Sequence, residues 1–324
     1  MKRLLFTGAT VFALLSSWST AAWSEQWPTR PIKIVVPFAA GGSVDVTARV
    51  LAKGLAPRLG QPVIVENRGG AAGFLGTEHV VKAPADGYSI VMASAGIVSV
   101  GPHLRKSMPF DPIKDLVPIT PVVDGVNVLV VPAKSSVKSV SEFIDIAKAK
   151  PGQLNFGSSG VGASDDMATQ LFMAMTGTRM TNVPYRGGSP AMVDLVAGHV
   201  DFMFSAAAPA ISQIQSGHLR ALGVTSAEQL QALPDVPTIA QAGVKGYESV
   251  AWYGLFAPAG TPAEAIERIN KETAEVLKDP QVRKQLLDAG LLPRASSPKE
   301  FAEYIARDSK KWGDVVKTNG IKAQ

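Results

Sequence analysis

The chain has no cysteine among its 324 residues. This absence excludes a disulfide framework, a cysteine-based zinc site, a cysteine nucleophile and a lipid-modified N-terminal cysteine. Histidine is scarce, and its four positions lack the i, i+4 spacing of a helical metal site: His79, His103, His199 and His218. The spacing therefore predicts no helical zinc site.

Sequence motifs for nucleotides and for serine hydrolases are also absent. The chain contains neither the G-x-x-x-x-G-K-[ST] loop that cradles phosphates nor the G-x-S-x-G turn that presents a nucleophilic serine. Two glycine-rich stretches, residues 70–76 and 157–162, have the wrong glycine order for a dinucleotide fingerprint. These absences argue against a bound nucleotide cofactor and against a serine hydrolase.

Charge is modest and scattered: 18% of the residues are charged and 46% are hydrophobic. This composition is typical of a folded globular protein, and the length fits two domains. The net charge is +5, but the basic clusters are as short as Lys310-Lys311 and contain no interleaved aromatic residues. We therefore expect no nucleic-acid partner.

Residues 1–24 have the pattern of a secretory signal peptide. Two basic residues precede a mostly apolar stretch, 4–15, and small residues follow up to a predicted cleavage position near Ala22 or Ser24. A membrane anchor is the alternative, but the apolar stretch is short for a membrane span. We expect an exported protein in a bacterial periplasm.

The stretch 32–45 is the strongest indication of a binding site. Its first five residues predict a buried strand, a loop with two glycines follows, and Ser43 is predicted to cap a helix with Asp45 in its first turn. Such a helix start presents backbone N–H groups and the positive end of the helix dipole, which together favour an anion. Phe38, in the same loop, is expected either to cover a ligand or to close the core.

The stretch 154–172 repeats this pattern of strand, glycine–serine loop, serine cap and acidic helix start. Asp165 and Asp166 are adjacent and point about 100° apart on a helix, so they cannot both face one ligand. Either they stabilise the helix N-terminus, or Asp165 reaches a polar group of a ligand. Tyr185 and Arg186 precede another glycine loop and leave two alternatives open: contact with an anion, or exposure to solvent.

The order of elements predicts the architecture. Alternating strands and helices over residues 32–94 predict a parallel α/β sheet with binding loops at the carboxyl ends of its strands. Residues 110–121 are expected to form a proline-punctuated connection. A C-terminal helical layer needs a sheet to cover, so we expect the chain to leave the first domain near Pro121 and to return near residues 247–252 as two crossing strands.

Eight short motifs are specific in combination, although most are weak alone. They are Trp27-Pro28, IVVPFAAGGSVD (34–45), ENRGGAAG (66–73), ADGY (85–88), GSSG (157–160), VPYRGG (183–188), LPDVPT (233–238) and APAGTP (257–262). Over essentially the whole mature chain, this set closely resembles the substrate-binding proteins of tripartite tricarboxylate transporters, the Bug-type solute receptors.

The resemblance implies a two-lobe, periplasmic-binding-protein type II fold of the α/β class, each lobe a mostly parallel sheet flanked by helices, with a two-strand hinge. Lobe 1 would comprise residues 25–122 and 252–324, and lobe 2 residues 123–251. A small organic carboxylate, whether dicarboxylate, aromatic acid or amino acid, would lie between the lobes without metal or cofactor. The candidate ligand-binding residues are Phe38, Ala39, Ala40, Gly41, Gly42, Ser43, Asp45, Ser94, Ser158, Ser159, Gly160, Ser164, Asp165, Tyr185, Arg186, Gly187, Gly188 and Ser205.

The implied function is binding rather than catalysis. The implied partners are the membrane subunits of the transporter, and the receptor is expected to be a monomer. An exported enzyme is an alternative, but Asp165 is the one acid that could be nominated for it and lacks a partner. A ligand sensor that signals through a membrane protein is a further alternative on the same fold.

Two places near the expected pocket depart from the family pattern. Asp166-Met167 and Gln170 stand where relatives often carry a His-Leu pair and a Glu, and residues 205–207 (SAA) replace a frequent Asp-Asn-Leu run. The departures imply a ligand whose far end differs from a common dicarboxylate.

Overall fold

The computed structural model describes residues 27–38, 40–185 and 187–321. The predicted signal peptide and two candidate ligand-binding residues, Ala39 and Arg186, lie outside these ranges. Within the described ranges, the helices are all too short or too polar to cross a membrane.

The described residues form ten strands and ten α-helices, which mostly alternate along the chain. In chain order they are β1 Ile32–Val36, α1 Ser43–Leu59, β2 Val63–Asn67, α2 Phe74–Val81, β3 Ser89–Ser94, α3 Gly101–Leu104, β4 Leu116–Pro132, α4 Val140–Ala149, β5 Asn155–Ser158, α5 Ser164–Thr176, β6 Thr181–Pro184, α6 Gly188–Ala197, β7 Met203–Ala206, α7 Ala207–Gln215, β8 Leu219–Val224, β9 Val250–Pro258, α8 Ala263–Lys278, α9 Pro280–Asp288, β10 Leu291–Pro293 and α10 Pro298–Thr318. One turn of π-helix, Gly96–Val100, precedes α3.

The first lobe is built on β1, which lies between β2 and β3 and is parallel to both. Successive side chains of a strand point to opposite faces, and both faces of β1 are covered. Ile34 and Val36 pack with α1, whereas Val35 packs with α2 on the other face. The predicted strand–helix order of residues 32–94 is therefore confirmed, and it places the glycine loops at one edge of the sheet.

The long strand β4 replaces part of a predicted connection. Residues 110–121 were expected to be irregular because of their prolines, but β4 begins at Leu116 and pairs antiparallel with β9. Pro118 and Pro121 are tolerated because the pairing register shifts directly after each of them, where a proline's missing N–H costs the ladder little.

The strands β4 and β9 connect the two lobes. The first part of β4 pairs with β9 and β10, and from Asn127 onward it pairs with β7 and β8 of the second lobe. The two-lobe α/β prediction is confirmed, but the sheet is mixed rather than mostly parallel because β4 pairs antiparallel with all four of these strands. The lobe boundaries at 122/123 and 251/252 fall inside these two strands and stay a prediction.

Helix α10 contributes to the cores of both lobes. Phe301 and Ile305 pack against the first-lobe sheet, while Trp312 and Val315 pack in the second-lobe core. Burying each large apolar side chain contributes about 1.5–3 kcal/mol. The helix therefore stabilises both lobes beside the crossing strands.

Buried and half-buried ionic groups line the junction between α10 and the crossing strands. The indole N–H of Trp252 donates to Asp308 at 2.8 Å, and Lys311 lies 2.8 Å from the same carboxylate. Asp124 on β4 lies 3.2 Å from the Arg294 guanidinium. Burial raises the pKa of Asp124 to about 6, although the guanidinium opposes that shift.

Candidate functional site: an interlobe cavity at two helix N-termini

A cavity of about 490 Å³ lies where the binding loops of the two lobes face each other. This volume is within the range of about 300–1,000 Å³ that is usual for small-molecule sites. The first lobe contributes Phe38, Gly42, Ser43, Val44, Ala72, Ser94, Ala95, Gly96 and Val100 to its lining. The second-lobe loop and α5 contribute Ser159, Gly160, Val161, Gly162, Ala163, Ser164 and Met167. The segment around the start of β9 and helix α10 contribute Ser249, Val250, Ala251, Tyr253 and Trp312.

The N-terminus of α1 opens into this cavity. The prediction that Ser43 caps the helix is wrong: Gly42 is the N-cap, and Ser43 is the first helical residue and lines the cavity. The loop is instead held by Asp45, whose carboxylate accepts a hydrogen bond of 2.8 Å from the Gly41 N–H. The carboxylate of an acidic residue in the first helical turn reaches this N–H because Gly41 adopts a positive φ of 84°.

The Asp45 carboxylate is itself fixed from behind. Arg49 donates to it at 3.0 Å and Asn67 at 2.9 Å. Burial alone would raise the pKa of Asp45, but the hydrogen bonds from Arg49, Gly41 and Asn67 together hold it below its usual range. Asp45 is therefore ionised at neutral pH and braces the loop rather than lining the cavity.

The N-terminus of α5 has the same construction in the second lobe. Ala163 is the N-cap and Ser164 the first helical residue, so the predicted serine cap is again displaced by one position. Asp166 accepts a 2.8 Å hydrogen bond from the N–H of Gly162, which has a φ of 80°. Asp45 and Asp166 thus occupy equivalent positions, four residues after a glycine of the same conformation.

Asp165 stabilises the second loop in addition. Its carboxylate accepts hydrogen bonds from the Ser159 N–H at 2.7 Å and from the Ser159 hydroxyl at 2.6 Å. Burial raises the pKa of both Asp165 and Asp166, and the hydrogen bonds they accept oppose that shift. Two roles are stated above for Asp165: stabilising the helix N-terminus, or reaching a polar group of a ligand. The structure shows its carboxylate bonded to Ser159 of its own loop at that helix N-terminus.

Neutral hydroxyl groups complete the polar part of the lining. Ser94 lies at the end of β3, and Tyr253 lies on β9 and lines the same cavity. Burial raises the pKa of Tyr253, and Ser43 partly opposes the shift, so the phenol is neutral at physiological pH. Among the described residues that line the cavity, none carries a charged side chain.

Seven of the predicted ligand-binding residues line the cavity. They are Phe38, Gly42, Ser43, Ser94, Ser159, Gly160 and Ser164. Phe38 also packs against both hydrophobic clusters of the first lobe, so it combines the two alternatives stated for it. Nine others lie outside the lining: Ala40, Gly41, Asp45, Ser158, Asp165, Tyr185, Gly187, Gly188 and Ser205.

Several residues outside the lining brace the second lobe with their polar groups. The Ser158 hydroxyl donates to the Asn182 side chain at 2.8 Å, and the Ser205 hydroxyl donates to a neighbouring carbonyl. The Tyr185 hydroxyl donates to Asp194 at 2.6 Å, which raises the pKa of Tyr185 to about 12. These groups are engaged within the protein, behind the loop that faces the cavity.

Sequence reasoning missed the apolar part of the lining. Val100, Met167 and Trp312 come from three separate helical segments, and all three also belong to the second-lobe core. A core position and a cavity wall have the same apolar signature in sequence, so no local signal marks them. For Tyr253 there is one indication in the sequence of a place near the site: it directly follows residues 247–252, where the chain is expected to return to the first lobe.

The described residues contain no group of three or more His, Asp or Glu side chains placed to hold a metal ion. Two α/β lobes joined by crossing strands, with a cavity between their loops, define a solute-binding protein of the periplasmic type. The family model described as "Tripartite tricarboxylate transporter family receptor" matches residues 47–321. The chain belongs to this receptor family.

Individual relatives agree with this assignment. Protein BugT of Bordetella pertussis is 36% identical over 300 residues, which cover 92% of each chain. The structure of R. palustris Rpa4515 with adipate is 34% identical in sequence, has a TM-score of 0.79 and covers 92% of this chain and 100% of the other. MatC of Rhodopseudomonas palustris with bound malate is 31% identical, with a TM-score of 0.74, and covers 90% of this chain and 100% of the other.

Proposed function

We propose that this protein is a periplasmic receptor that captures a small organic acid between its lobes and delivers it to a tripartite tricarboxylate-type transporter. The proposal depends on one observation: the N-termini of α1 and α5, one from each lobe, face the same cavity. The bound adipate and malate of the two related structures support the same ligand class.

The chemistry of the two helix starts favours a carboxylate. The first N–H groups of an α-helix have no acceptor within the helix, and the helix dipole places partial positive charge there. Both helices are long enough for this effect, with 17 residues in α1 and 13 in α5. Because these donors are neutral, a carboxylate is held by fixed dipoles without burying a countercharge.

The fold supplies the motion that a receptor needs. Crossing strands are a common form of hinge between lobes, and a ligand that contacts both loops stabilises the closed arrangement. Membrane subunits of the transporter would then receive the closed, loaded receptor. We further propose that the receptor is monomeric, and that export ends with cleavage near Ala22 or Ser24.

The test is calorimetric titration of the protein purified from the periplasm with mono-, di- and tricarboxylic acids and amino acids. Each acid that binds is compared with its amide, which keeps the shape and removes the charge. We expect at least one acid to bind with a dissociation constant of about 1 μM or tighter, and its amide to bind far more weakly. The proposal would be overturned if no acid of the panel bound, or if each acid and its amide bound equally.

A receptor releases its ligand unchanged, whereas an enzyme converts it to a product, so the mass of the released ligand distinguishes the two. Mass spectrometry of the acid released from denatured protein, after prolonged incubation, should recover the acid with its mass unchanged. A product of altered mass, formed in proportion to the protein, would instead favour the exported-enzyme alternative.

A further inference from the structure

We propose that the preferred ligand carries a single carboxylate on an apolar body, so that a monocarboxylic acid binds more tightly than the dicarboxylic acid of equal length. This inference rests on the proposed function, because it concerns the same cavity. It is carried by two observations: the second-lobe donors are largely engaged within the protein, and one wall of the cavity is continuous with a hydrophobic core.

The second-lobe loop has few donors left for a second carboxylate. Asp165 accepts both the N–H and the hydroxyl of Ser159, and Asp166 accepts the N–H of Gly162. A serine hydroxyl has one proton to donate, so Ser159 lines the cavity without a free donor. The remaining second-lobe donors lie at the start of α5, where the first carboxylate is already expected.

The first lobe retains its hydroxyl groups for the ligand. Ser43, Ser94 and Tyr253 all line the cavity. The Asp45 carboxylate is compensated by Arg49 at 3.0 Å and does not face the cavity. The carboxylate is therefore anchored between the starts of α1 and α5, and the rest of the ligand extends from there.

The wall beyond this anchor is apolar. Val100, Met167 and Trp312 line the cavity and are members of one hydrophobic cluster, with 4%, 2% and 3% of their surfaces exposed. Phe38 and Val250 add apolar surface to the same cavity. The indole N–H of Trp312 has no hydrogen-bond partner among the described residues, but this atom is itself inaccessible to solvent, so it offers no donor at the cavity surface. A second carboxylate placed against such a wall would lose its hydration without gaining hydrogen bonds, whereas a methyl group or an aromatic ring would gain contact area.

Matched pairs of acids test the inference on the unmodified protein. Hexanoate and adipate share a six-carbon chain and differ by one terminal carboxylate, and 4-methylbenzoate and terephthalate form the equivalent aromatic pair. In calorimetric titrations we expect the monoacid of at least one pair to bind about tenfold or more tightly than its diacid. A diacid that binds as tightly as its monoacid, or more tightly, in both pairs would overturn the inference while leaving the proposed function intact. If no acid of the pairs or of the wider panel binds, the proposed function itself fails.

A pair of substitutions localises the effect. Val100→Thr keeps the shape of a wall residue and adds a hydroxyl, and we expect it to weaken hexanoate binding about 5- to 50-fold with little change for adipate. Val137→Thr is the matched control, since Val137 belongs to the same cluster but does not line the cavity. Equal effects of the two substitutions, or a loss of adipate binding as large as that of hexanoate in V100T, would contradict an apolar wall that contacts the ligand.

Discussion

The hydroxyl of Ser43 offers a direct test of the binding geometry, and we predict that Ser43→Ala weakens ligand binding without destabilising the fold. Ser43 is the first residue of α1 and lines the cavity, and the helix is capped by Gly42 rather than by the serine side chain. The alanine variant keeps the backbone N–H groups of the helix start. It loses only the hydroxyl.

The magnitude follows from the charge of the ligand. A hydrogen bond to an ionised group contributes about 1.5–3 kcal/mol, so the dissociation constant should rise about 10- to 150-fold. If Ser43 were the cap, its replacement by alanine would also cost about 1 kcal/mol of unfolding free energy. Because it is not, we expect the free energy of unfolding to change by less than about 0.5 kcal/mol.

Two measurements on each variant check this reasoning: calorimetric titration with hexanoate and adipate, and urea unfolding followed by tryptophan fluorescence. Ser158→Ala is the matched control, since the buried Ser158 hydroxyl donates to Asn182 and does not line the cavity. That variant should lose about 1–3 kcal/mol of stability and keep its affinity within about twofold. The reasoning is refuted if S43A binds as tightly as the unmodified protein, or if S43A loses as much stability as S158A.

Three further predictions concern the scaffold. Gly76→Ala would place a Cβ 2.8 Å from the Pro37 Cα. This backbone crowding should outweigh the helix-propensity gain of about 1 kcal/mol and lower both the free energy of unfolding and the affinity for hexanoate. A stabilised variant would contradict this close approach. Asp308→Asn removes the carboxylate that pairs with Lys311 and weakens the hydrogen bond from Trp252. Because the Lys311 side chain is 31% exposed, the expected cost in urea unfolding is about 1–3 kcal/mol, and a loss below about 0.5 kcal/mol would contradict a stabilising role for these contacts. Burial raises the pKa of Asp124 to about 6, so the folded state binds this proton more tightly than the unfolded chain, and stability should fall by about 2 kcal/mol as pH rises from about 4 to 7. Asp124→Asn should remove that decline, and identical pH profiles of the two proteins would refute the reasoning.

Local patterns made much of the first lobe predictable. The strand β1, the glycine loop and the start of α1 are neighbours in sequence, so their order follows from hydrophobic run, turn residues and helix signals. The start of α10 likewise depends on neighbouring residues, since Ser297 and Glu300 form a capping box there. Helix α4 has a similar local cap, because the Ser139 side chain accepts a hydrogen bond from the Glu142 N–H.

The errors in the candidate site share one physical cause. Ser43, Ser158 and Ser205 look alike in sequence, each a serine at the end of a strand or the start of a helix. The first lines the cavity, while the hydroxyls of the other two are engaged behind the loop. Their different environments depend on partners such as Tyr253 and Asn182, whose positions follow only from the packing of the whole chain.

The sequence by itself determined the units of this protein: strands that end in glycine loops, helices that begin beside them, a chain without cysteine, and a set of motifs that identifies the receptor family. These features depend on neighbouring residues and on composition. Only the tertiary structure decided that Asp45, Asp165 and Asp166 turn their carboxylates into their own loops, and that Trp312 reaches the cavity from the C-terminal helix. The carboxylate orientations depend on the folded conformation of each loop and, for Asp45, on Asn67 from another strand. The wall of the cavity forms where side chains far apart in sequence pack together. Neither feature could therefore be predicted from a short stretch of residues.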